Sequence, residues 1–188
     1  MVELHDLVDR IGSSKVLLGG WSYGGLIAFL TAQRFQEQGL KNEILNVEVL
    51  SVILIDSPLS LDIDKERDDL EYTVPSSLSE FVAERSRLHF TDCTKLIVSY
   101  HKERSLRYPD GEQLLNVPII EFRPAITKSS SSKDSHEKNC RSASHDIHYT
   151  PGNHWTMIFG EHAAFISDVL NSKVPLSGGA QQEVFLDF

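Results

Sequence analysis

A serine set between glycines stands near the start of the chain, in Gly19-Gly20-Trp21-Ser22-Tyr23-Gly24-Gly25-Leu26. A serine hydroxyl is a weak nucleophile until a histidine takes its proton and a carboxylate orients that histidine. The spacing Gly-x-Ser-x-Gly serves this chemistry when it joins a strand to a helix so sharply that the serine oxygen stands clear of the backbone. Glycine is expected on both sides, at Gly20 and Gly24, because a side chain in so tight a turn would clash and the backbone there is strained. A helix starting behind Ser22 aims N–H groups and a positive dipole end at the same point. The backbone N–H of Tyr23 is therefore the expected oxyanion donor.

The two partners should follow in the order acid, then histidine, each at the C-terminal end of a sheet strand. Asp56 ends the run Ile53-Leu54-Ile55-Asp56-Ser57-Pro58. An aspartate there is also a common turn-starter, but order and strand-end position favour the orienting role. The chain has 8 histidines. His154 fills the place that the order demands, in the turn-like string Pro151-Gly152-Asn153-His154-Trp155-Thr156-Met157, after the last strand. His148 falls within that strand and His162 on the closing helix. His136, Cys140, His145 and His148 gather in one polar region, yet they form no compact Cys-x-x-Cys or His-x-x-x-His pair, so neither a metal nor another cofactor is expected.

The elements that must position these residues can be read from apolar spacing. Residues 2–11 have the spacing of a short helix. Residues 15–18 read as a buried strand running into the glycines, and 24–38 as a helix with Gly39 as its C-terminal cap. The β-branched run 47–55 reads as a parallel strand covered on both faces, which completes a βαβ unit. Residues 57–115 open acidic and continue as two helical stretches, 77–90 and 91–102, rich in Arg85, Arg87, Lys95 and Lys102, with Arg104 and Arg107 beyond. Such a basic run is either a docking surface or a solvated face. Strands at 117–122 and 146–150 and a helix at 161–170 follow. The intervening 127–144 is polar and Ser-rich without an apolar stripe, hence expected to be a disordered loop.

The bulk properties narrow the function. At 188 residues, with 40% hydrophobic and 24% charged residues, the chain is an ordinary globular protein with one domain as its prior. A formal net charge of −9 argues against nucleic acid and against an anionic membrane surface. Two cysteines, Cys93 and Cys140, are too few for a disulfide framework, so a reducing, cytoplasmic setting is expected. The opening residues have neither a basic flank nor an apolar core of a secretory signal, and the longest apolar run, 49–55, is too short to span a bilayer.

Three strings together, Gly20-Trp21-Ser22-Tyr23-Gly24-Gly25-Leu26-Ile27-Ala28-Phe29, Leu54-Ile55-Asp56-Ser57-Pro58 and Thr150-Pro151-Gly152-Asn153-His154-Trp155-Thr156-Met157, resemble the thioesterase domains of polyketide and nonribosomal peptide synthases, most nearly the fungal polyketide type. The resemblance runs in order over residues 4–170. It implies an α/β-hydrolase fold, with a mostly parallel sheet, flanking helices and a helical lid inserted at 57–115. It further implies Ser22 as nucleophile, Asp56 as orienting carboxylate, His154 as general base and acid, and Trp21 and Tyr23 as lining of an acyl pocket, where large aromatics serve equally as packing. The implied partner is an acyl carrier protein bearing a phosphopantetheine-linked chain, released as an acyl ester of the serine by water or by an internal nucleophile. The family also has strands ahead of the elbow, for which 21 residues leave no room, since a further βαβ unit takes roughly 30. A partial fold is thus expected, with 16–18 as a bare edge prone to self-association. Two other readings stay open: a non-catalytic thioesterase-like remnant or accessory binding protein, and an esterase or acyltransferase acting on a small ester.

Overall fold

The run Val52-Ile53-Leu54-Ile55 is apolar on both faces of a strand, and such a segment is stable only when other layers cover it on each side. The computed structural model places it so, and describes residues 15–39, 48–57, 79–107, 114–125, 141–142 and 144–173. In chain order the elements are β1 (Lys15–Trp21), α1 (Tyr23–Gly39), β2 (Glu48–Ile55), α2 (Glu80–Arg107), β3 (Leu114–Leu115), β4 (Ile119–Pro124), β5 (Arg141–Ser142), β6 (His145–Thr150) and α3 (Gly160–Lys173). The chain divides into two compact units, Leu59–Gln113 and the remainder.

The larger unit is built on a four-stranded sheet in the order β1-β2-β4-β6, parallel at every pairing. Among the described residues β1 is an edge of this sheet. Ile53, Ile55, Ile120 and Phe122 pack with Met157 and with Ile166 of α3 on one face. Strand alternation turns Val52 and Leu54 to the other face. α1 lies there, because Gly20, paired with Leu54, abuts the backbone of Gly24 in the first turn of α1. A second, two-stranded parallel sheet joins β3 to β5.

Glu121 is buried on the face of its register partner Leu54. Its carboxylate accepts from Arg123 Nε at 2.6 Å and Nη2 at 2.9 Å, and lies 2.7 Å from His145 Nε2. Burial by itself disfavours the charged guanidinium, but the hydrogen bonds and charge of Glu121, with a smaller contribution from Tyr149, raise Arg123 above its ordinary pKa.

Several boundaries differ from those read in the sequence. β1 continues through Gly19 and Gly20 to Trp21, because parallel pairing with β2 carries the glycines along in register. β4 starts after Pro118, which has no N–H to give to a ladder; its carbonyl instead accepts from Val52 N at 2.9 Å and Ser51 Oγ at 3.0 Å. The two expected helices of the smaller unit are one, α2. At the expected break, Thr91 Oγ1 donates to the carbonyl of Arg87 at 2.9 Å, so the polar side chain is satisfied within the helix rather than ending it. Arg87 pairs with Glu84 and Lys95 with Asp92, each three residues apart and well exposed. This face of α2 therefore has mixed charge. Within 127–144, residues Arg141 and Ser142 are strand rather than disordered loop. The expected helix at 2–11, and His136 and Cys140, lie outside the described residues. No helix among the described residues is long and apolar enough to cross a membrane.

Candidate active site

The C-terminal ends of the strands are tied together by backbone hydrogen bonds that continue past the ladders. Ser22 N donates to Ile55 O at 2.7 Å, Asp56 N to Phe122 O at 2.8 Å and Ala125 N to Thr150 O at 2.8 Å. Each strand thus hands its following residue to a common edge, where Ser22, Asp56 and the turn after β6 all lie.

Ser22 sits between β1 and α1 with φ of 54°, and Asp56, directly after β2, with φ of 44°. They are the two non-glycine residues with positive φ among those described. This left-handed conformation is uncommon for a residue with a Cβ and persists only where the surroundings enforce it. At the elbow the enforcing contacts involve Gly20 and Gly25. A Cβ on Gly20 would lie 2.3 Å from the Gly24 carbonyl carbon, and one on Gly25 would lie 1.9 Å from Ser57 Oγ. Gly24 corrects the sequence reading, because a Cβ there would meet nothing within 4 Å. The tight approach falls one residue later, where α1 passes over Ser57, itself buried with its hydroxyl directed at the carbonyls of Ile55 and Gly20.

His154 and Asp56, 98 residues apart in sequence, meet directly: Nδ1 and Oδ2 are 2.6 Å apart. The histidine side chain is 14% exposed and the carboxylate 29%. A carboxylate on Nδ1 fixes the tautomer that presents Nε2 for proton exchange. Ser22 Oγ is buried and has no hydrogen-bond partner among the described residues. Ser22 nonetheless belongs to the same neighbourhood, because the residue before it, Trp21, touches His154 twice. The indole stacks on the imidazole with centroids 4.7 Å apart and planes 29° from parallel, and Trp21 Nε1 donates to His154 O at 3.1 Å. Tyr23 is buried at the first position of α1. Its backbone N–H therefore lies at the N-terminal end of the helix.

The turn holding His154 is braced by groups that the sequence reading passed over. Asn153 Oδ1 accepts from Trp155 N at 2.9 Å and Thr156 N at 3.2 Å, while Asn153 N donates to Thr156 Oγ1 at 3.0 Å. Gly152 has φ of 93°, and Met157 anchors the turn in the core. An Asn followed three residues later by Thr is the signal that reveals this reciprocal cap. His148 lies 3.3 Å from Asp146, while His162, on α3, sets its imidazole against Gly152 of the turn that holds His154. Among the described residues no three potential metal ligands cluster. A cavity of about 460 Å³ opens at the other end of the strands, against Leu17, Ser51, Ile119 and Asp146, away from the serine.

Comparison with known proteins bears on this arrangement. The chain is 39% identical over 76 residues to the orsellinic acid synthase armB of Armillaria mellea, a match covering 40% of this chain and 3% of that synthase. It is 29% identical over 115 residues to the thioesterase frbE of a Dothideomycetidae species, covering 59% of this chain and 41% of frbE. The chain thus spans less than half the length of these curated relatives. Among solved structures, the Vlm2 thioesterase domain bound with a dodecadepsipeptide superposes with a TM-score of 0.54 at 20% identity, covering 92% of this chain and 74% of that one. The surfactin-cyclising domain SrfTE superposes with a TM-score of 0.50 at 18% identity, over 91% and 74% respectively. The fold they share with this chain is the expected α/β-hydrolase fold. The family model for the thioesterase domain matches residues 3–172, a span that contains the whole described sheet, and the chain belongs to the thioesterase domain family.

Proposed function

We propose that the chain is a serine thioesterase that releases an acyl or polyketide chain from the phosphopantetheine of a carrier protein. The observation carrying this reading is the 2.6 Å contact between Asp56 and His154, made across 98 residues at the sheet edge where Ser22 turns. Ser22 Oγ attacks the thioester carbonyl, and His154 takes its proton and passes it to the departing thiol. Asp56 orients the imidazole and balances the charge it acquires. The N–H of Tyr23 receives the developing oxyanion at the positive end of α1. The acyl-serine is then resolved by water or by a nucleophile within the chain. The buried, unpartnered Ser22 hydroxyl supports the same role, since a buried polar group without a partner costs about 1–3 kcal/mol and calls for a reason to be kept.

The experiment is active-site labelling with a fluorophosphonate, alongside hydrolysis of an N-acetylcysteamine thioester. Wild-type protein should label at one residue and Ser22→Ala should not label at all. Persistent labelling of Ser22→Ala would show that another residue is the nucleophile. Labelling of Ser22 with turnover of small oxygen esters but not of thioesters would move the assignment to an esterase.

A further inference from the structure

The contacts of Trp21 have a use beyond lining a pocket. His154 Nδ1 meets the Asp56 carboxylate at one corner of the ring, a contact that by itself does not set the ring plane. His154 lies in a turn, outside the strands and helices whose ladders would otherwise hold its backbone. One side chain, Trp21, touches both the ring and the backbone of this turn, alongside the Asn153 and Thr156 bonds within it. The indole face lies against the imidazole at 4.7 Å and sets its plane, and the indole N–H on Nε1 donates to the His154 carbonyl at 3.1 Å and sets the height of the turn. Trp155 closes the arrangement edge-on, 5.9 Å from Trp21 and 5.3 Å from His154 between centroids. Trp21 itself cannot drift, because it is the last residue of β1, paired with Ile55 and packed against the core. Tryptophan suits the position because it combines a broad ring face with a donor on its rim. A ring face also favours the positive charge that a histidine carries after taking a proton.

We infer that Trp21 is a positioning residue, holding the plane of the His154 ring and the level of its turn so that the base stays aligned with the serine that follows Trp21 in the chain. The inference rests on the proposed serine mechanism for its consequence in rate, while its structural content does not depend on turnover. It assigns the elbow a second duty, with the nucleophile and the brace for its base carried by adjacent residues of one strand end.

The test uses the whole chain as wild type, Trp21→Phe and Trp21→Leu. One readout is the position of the His154 ring-proton signals in NMR spectra, assigned by their loss in His154→Gln. The other is the rate of fluorophosphonate labelling together with kcat and KM on an N-acetylcysteamine thioester. Stacking should place the wild-type His154 signals upfield, with a partial return in Trp21→Phe and a full return in Trp21→Leu. Labelling and kcat should fall about tenfold in Trp21→Phe, which keeps a ring but loses the donor, and about a hundredfold in Trp21→Leu, with KM little changed. Should Trp21→Leu not fold, Trp21→Phe decides by the same two readouts. Unmoved His154 signals in a folded variant, or a labelling rate equal to wild type, would overturn the inference. Ring signals that respond as expected in a protein whose wild type does not label would sustain the positioning role and reject the serine mechanism.

Discussion

Asp56 combines a left-handed backbone with a carboxylate set against His154 Nδ1, and the two can be separated by mutation. Asparagine tolerates the left-handed region about as well as aspartate, so Asp56→Asn should unfold close to wild type. On the proposed mechanism the amide no longer enforces the Nδ1–H tautomer or balances the imidazolium charge, and kcat should fall by about 10⁴-fold, as in triads that lose the carboxylate with geometry kept. Thermal unfolding and kcat measured on the same preparation check both halves of this expectation. The glycines offer a second contrast. Gly25→Ala drives a methyl group to 1.9 Å from Ser57 Oγ and 2.8 Å from the Gly20 carbonyl, and should cost about 1–3 kcal/mol in urea unfolding. Gly24→Ala meets open space in a helix and should be neutral or stabilising by about 0.5–1 kcal/mol. The gathering of Ser22, Asp56 and His154 at one end of the sheet was legible in the sequence because their order and strand-end positions constrain it strongly. The roles of Gly25 and Trp21 were not, since they depend on which side chains the fold brings opposite them, Ser57 and His154, and local spacing does not show that.

Strands and helices were read well where apolar period and length agreed, as in β2 and α1, and poorly where polar residues punctuated a helix. Thr91 looks like a break in the sequence and is satisfied inside α2 by the Arg87 carbonyl. The buried pair on β4 was invisible for a related reason, because alternating Glu121 and Arg123 reads as a solvated face until the third layer is known. Arg123→Met takes the guanidinium from the buried Glu121 carboxylate, whose contact with His145 remains, and should cost up to about 3–5 kcal/mol, whereas replacing both by apolar residues of similar volume should cost less. Chemical denaturation of the single and double variants distinguishes the two. At the other end of the sheet, Lys173 at the close of α3 bonds to Asp146 of β6 at 2.5 Å. This hydrogen bond, with the charge of His148 beside it, holds the Asp146 carboxyl below its ordinary pKa. A depressed carboxylate pKa stabilises the folded state above the unfolded value, near 3.9, and the benefit fades as pH falls through the lower folded value. Asp146→Asn should therefore be less stable than wild type at neutral pH, with the two stability curves converging below about pH 4. Because the pair is partly exposed, the gap should also narrow in high salt.

At the scale of the whole molecule, every neighbouring pair in the four-stranded sheet is parallel, so each pairing spans a crossover and none is a hairpin. The site inherits this separation: Asp56 meets His154 across 98 residues and Trp21 meets it across 133. Contacts so distant along the chain form slowly, because the intervening loop must be closed before they repay its entropy. On a ribosome, β1, α1 and β2 emerge long before β6 and the turn behind it, so the elbow at Ser22 is made early and the His154 turn late. On the proposed mechanism an emerging chain therefore carries a serine that cannot yet be activated, and acquires its chemistry when the last strand docks. Refolding from urea should show the same sequence of events, with helical circular dichroism returning ahead of fluorophosphonate reactivity. Simultaneous return of the two signals would mean that the sheet closes in one step, with no interval in which the elbow exists without its histidine.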